Sequence, residues 1–80
     1  MIFDISSALQ CLRTLVKEGP KKEGWIAVCL EGSRYYFVDA TNNGLTTCIS
    51  NNLMFDDYES ATASLAGKPN SEKMYFQISA

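Results

Sequence analysis

From Ile5 to Val16 the apolar residues recur every three or four positions: Ile5, Ala8, Leu9, Leu12, Leu15 and Val16. That spacing puts all six on one stripe of a helix. Asp4 or Ser7 can cap its start, and Ser7 with Gln10 has the capping-box spacing. Gly19-Pro20 should end it, since glycine accepts a left-handed cap and proline cannot continue the ladder. After the polar connection KKEG the period changes to two. WIAVCLE (25–31) and RYYFVDA (34–40) read as strands joined at Gly32-Ser33, and glycine followed by any residue suits a type II′ turn. In that register Ile26, Val28, Leu30, Tyr35 and Phe37 share one face. Trp25, Ala27, Cys29, Tyr36 and Val38 share the other.

Asn42-Asn43-Gly44 marks a second turn into a threonine-rich third strand, Leu45 to Ser50. If that loop has two residues, Thr47 and Ile49 fall on the side of Trp25 and Tyr36. In MFDDYESATASLAGKP, Asp56 and Glu59 have the spacing of a helix start, while Gly67 and Pro69 mark its end. Tyr58, Ala61 and Leu65 form a narrow apolar stripe, so this second helix should bury little. Met74, Phe76 and Ile78 then alternate with Tyr75, Gln77 and Ser79 in a final strand. The predicted order is α-β-β-β-α-β: an α+β fold with an antiparallel sheet of about four strands packed with two helices. The Ile26/Phe37 face is the floor for the first helix. The Trp25/Tyr36 face has two solutions: a helix on each side of the sheet, or two helices on one side that leave Trp25, Tyr36 and Val38 as a binding surface.

Composition narrows the function. Eighty residues, 46% apolar and 20% charged, make residues 1–80 a single compact domain with one small core. No apolar run approaches the roughly 20 residues a membrane span needs. Met1 leads into a capped amphipathic segment rather than a secretory signal. Cys11, Cys29 and Cys48 are odd in number and unpaired by motif, which reads as free buried thiols in a reducing cytoplasm. With no histidine and no CxxC pair, neither structural zinc nor a Ser-His or Cys-His nucleophile can be assembled. The glycines form no phosphate-binding pattern. Enzyme activity, a cofactor and a small-molecule substrate are therefore not expected. Net charge is −2, and Arg13, Lys17, Lys21, Lys22 and Arg34 are scattered, which argues against nucleic acid, although single strands could stack on the aromatic face. A charged partner would be basic.

Asp56, Asp57 and Glu59 could be imagined as a metal or acid-base site, but capping and the helix dipole explain their spacing. As surface charges they would rim a partner-binding face built on Trp25, Tyr36 and Val38. The Trp-led hairpin, Asp39 at the strand end and the run FDDYESAT (55–62) resemble small accessory proteins of bacteriophages and mobile elements. Among these, anti-CRISPR-like and other host-takeover inhibitors are similar in size and acidity. The resemblance implies stoichiometric docking on a host protein complex. A self-associating homodimer built on the same apolar face is the alternative from a different class.

Overall fold

The computed structural model describes residues 5–20, 22–68 and 71–79. Helix α1 spans Ile5–Glu18, with Ala8, Leu12 and Val16 buried. Ser7 lies inside the helix and so is not its cap, and Asp4 falls outside the described residues. Gly19 does not adopt the expected left-handed conformation, because Gly32 is the glycine with positive φ. Crowding accounts for it instead. A Cβ at Gly19 would stand 2.8 Å from the Leu15 carbonyl oxygen and 3.3 Å from the Asn51 side chain.

Strands β1 (Glu23–Glu31) and β2 (Arg34–Val38) pair with Val28 opposite Phe37 and Cys29 opposite Tyr36, the register read from the alternation. Gly32 has φ +64° and Ser33 is not among the positive-φ residues, as the first and second positions of a type II′ turn require. The third strand departs from expectation. Strand β3 is only Leu45–Thr46, with Leu45 opposite Val38 and Thr46 opposite Phe37, so the connection is the longer loop 39–44. That loop closes on itself: the Asp39 carboxylate accepts from the amide and hydroxyl of Thr41, and the Asn43 amide donates to the Asp39 carbonyl at 2.7 Å. Asn43 takes φ 59°, a conformation asparagine tolerates better than most residues. The chain then leaves the sheet, which puts Ile49 against the α1-side core and leaves Thr47 exposed. Ile49 therefore does not join the side of Trp25.

A 3₁₀ turn at Asn51–Leu53 brings Phe55 back beside β1. Trp25 and Phe55 exchange two backbone hydrogen bonds, of 2.9 and 2.7 Å, in an isolated bridge. Helix α2 is Tyr58–Ser64, and its cap is Asp57 rather than Asp56: the Ser60 amide donates to the Asp57 carboxylate at 2.7 Å. Strand β4 (Glu72–Ser79) pairs antiparallel with β1 from Glu23 to Leu30. The sheet order is β3-β2-β1-β4. Two helices and a four-stranded antiparallel sheet thus follow the predicted order, α1-β1-β2-β3-α2-β4.

The helices lie on opposite faces. Leu12 and Val16 of α1 pack with Ile26, Val28, Phe37, Leu53 and Ile78. On the other side Ala61 of α2 and Leu65, its C-cap, pack with Ala27, Cys29, Val38 and Phe55. Small residues on both partners let a helix of only 7 residues sit close enough to exclude water. Of the two solutions for the Trp25 face, the one with a helix on each side of the sheet is realised.

Candidate functional site

The register of β1 with β4 places Tyr75 opposite Ala27 and Gln77 opposite Trp25, so Trp25 and Tyr75 are diagonal neighbours on one face. Tyr58, the first residue of α2, bridges them. Its ring centroid lies 5.0 Å from that of Trp25 at 67° and 5.7 Å from that of Tyr75 at 75°. Edge-to-face contacts at these distances are each worth about 0.5–1.5 kcal/mol beyond the area they bury. Trp25 and Tyr75 are half-buried, whereas Tyr58 is 49% exposed, the large hydrophobic residue most open to solvent among the described residues. Burial raises the Tyr75 phenol above its ordinary pKa, with repulsion from Tyr58 and Cys29 adding to it, so its hydroxyl stays neutral.

Exposed carboxylates stand close in the chain to Trp25 and Tyr58. Glu59 is exposed in the first turn of α2. Asp57 is held below the usual carboxylate range chiefly by the amide and then the hydroxyl of Ser60. Glu23 is exposed and two residues before Trp25 in β1, hence on the same face. At the opposite end Lys73 pairs with Cys29 in the β1/β4 register.

The other expected partner-binding residues sit elsewhere. Val38 is 1% exposed beneath α2 and is part of the second core, so no partner can reach it in the folded chain. Tyr36 is half-buried in β2. Asp56 lines a cleft whose lining includes none of the three ladder residues. That cleft, of about 590 Å³, lies between the 39–44 loop, the 3₁₀ turn and α2. Asn43, Asn51, Asn52, Thr41, Ser60 and Ser64 supply amides and hydroxyls around it, over Met54 and Phe55. Among the described residues Asp56 is the one ionisable group in its lining.

Among the described residues no three His, Cys, Asp or Glu side chains stand close enough to hold a metal ion. Cys29 is buried, but Cys11 and Cys48 are exposed, contrary to the expectation that all three thiols are buried. Cys11 falls outside the α1 stripe, and Cys48 follows the end of β3. Among the described residues no helix is long and apolar enough to cross a membrane.

Tyr58, Tyr75 and Glu23 were not legible as one site in the sequence. Tyr58 fits the buried stripe with Ala61 and Leu65, and only its place in the first turn, beside the carboxylates, sets it apart. No protein family, curated protein or solved structure matches this chain.

Proposed function

We propose that the chain is a non-enzymatic protein-binding module that docks through the Trp25–Tyr58–Tyr75 ladder on a basic surface of its partner. The observation that carries this is Tyr58, which is held by two aromatic rings and yet 49% exposed. A rigid exposed tyrosine loses little conformational freedom on binding, and interface hot spots are rich in Trp and Tyr for that reason. Glu23, two residues before Trp25, and Asp57 and Glu59, on either side of Tyr58 in the chain, are exposed, which favours Arg or Lys on the partner and lets a guanidinium stack on the rings. Stoichiometric inhibition of a host protein complex, implied by the resemblance to phage accessory proteins, is the form of binding that best suits so small a domain.

The test begins with a pull-down from the source or host cell and mass spectrometry, followed by titration of the purified partner. Trp25 is the single tryptophan and reports directly on its own surface. Tyr58→Ala should cost about 2 kcal/mol or more of binding while barely moving the thermal melt. A Tyr58→Ala variant that binds the partner as tightly as the parent would remove the ladder from the interface.

A further inference from the structure

We propose that β4 is the seam of a two-fold dimer, in which it pairs antiparallel with β4 of a second copy of this chain. Among the described residues, β4 has β1 on one side and no strand on the other. Its outer edge therefore presents a row of backbone donors and acceptors. Natural edge strands are blunted by charge, proline, bulges or shortness. At the opposite edge of the sheet, β3 is blunt, with only 2 residues. In contrast β4 has 8 residues, and after Lys73 the run Met74 to Ser79 contains no charge and no proline.

The strand is self-complementary under a two-fold axis. Centred on Phe76, antiparallel pairing sets Phe76 opposite its own copy and Met74 opposite Ile78, twice. Tyr75 then meets Gln77 and Lys73 meets Ser79, so no like charges oppose one another. Met74 and Phe76 are only half-buried, although they pack against the α1-side core, and among the described residues no strand lies beyond them at the edge. Pairing would cover them and join the two α1-side cores into one layer. The short β3 edge gives no second seam, so growth stops at two copies rather than running on into a fibre. A seam of seven paired residues is about 24 Å long and one strand wide, a smaller contact than the roughly 1,600 Å² of a standard interface. The dimer is accordingly reversible and concentration-dependent. Phe76 lies on the face opposite the Trp25–Tyr58–Tyr75 ladder, whereas Tyr75 belongs to both the ladder and β4, so the test is placed at Phe76.

Sedimentation of the full chain under reducing conditions, from about 10 μM to about 1 mM, should show the mass rising from one copy to two and no further. Phe76→Lys and Phe76→Glu each place like charges at the axis, so each alone should weaken the dimer at least about tenfold. Mixed one to one, they should associate. Hydrogen exchange on the unmutated chain reads the seam without relying on how well those variants fold: alternate β4 amides should become protected as concentration rises. A chain that stays monomeric with concentration-independent β4 exchange overturns the proposal, and so does a dimer that survives both charge variants.

Discussion

Leu65→Ala tests whether α2, and nothing else, closes the second face of the sheet. Leu65 and Cys29 are both 0% exposed and belong to one cluster with Ala27, Val38 and Ala61. Truncating a buried leucine costs about 2–5 kcal/mol in lost transfer energy and residual cavity. A domain of this size has roughly 4–12 kcal/mol in all. The 7-residue α2 cannot hold itself together without its packing, so the loss should appear first as local undocking. In a background with Cys11→Ser and Cys48→Ser, which removes the exposed thiols, Cys29 labelling reports that opening. At about 1.4 kcal/mol per factor of ten, Leu65→Ala should speed labelling roughly 30- to 4,000-fold, well below the denaturant midpoint. Leu12→Ala, in the α1-side core, should instead lower the global midpoint, with labelling and far-UV signal changing together. Two results would refute the reasoning. One is fast Cys29 labelling in the parent, and the other is a Leu65→Ala variant whose Cys29 stays protected while its melt is unmoved.

Gly24→Ala should destabilise the fold by about 1–3 kcal/mol, because the added Cβ would stand 2.7 Å from the Phe55 carbonyl oxygen and 2.8 Å from the Met54 side chain. Urea melts of the two proteins check this, and equal midpoints would show that Phe55 can move away from β1 freely. The Asp57 carboxyl has its pKa lowered from 3.8 by Ser60, so its contribution is fully present above that value and lost as pH falls through the lowered one. Asp57→Asn keeps a capping acceptor but removes the titration. Its stability should therefore fall less than the parent's between about pH 5 and pH 2, and parallel curves for the two would show that the ionised cap contributes nothing.

The alternation of apolar residues was enough to determine the local elements, because it depends only on the geometry of each element. The α1 stripe, the β1/β2 register and the two faces of β4 all follow from side-chain periods that hold wherever the segment sits. The element order and the mixed α+β class follow in turn. What the sequence could not decide was where each element packs. Ala61 and Leu65 make an apolar stripe whichever face of the sheet receives them, and only the path through the 39–44 loop, the 3₁₀ turn and the Trp25–Phe55 bridge carries α2 to the second face. The short β3 has the same origin, since backbone bonds closing on Asp39 compete with the ladder that Asn-Gly would otherwise start. The candidate site is tertiary in the same sense. Trp25, Tyr58 and Tyr75 are far apart in the chain, and their contact exists only because the β1/β4 register and the docking of α2 bring three rings to one place.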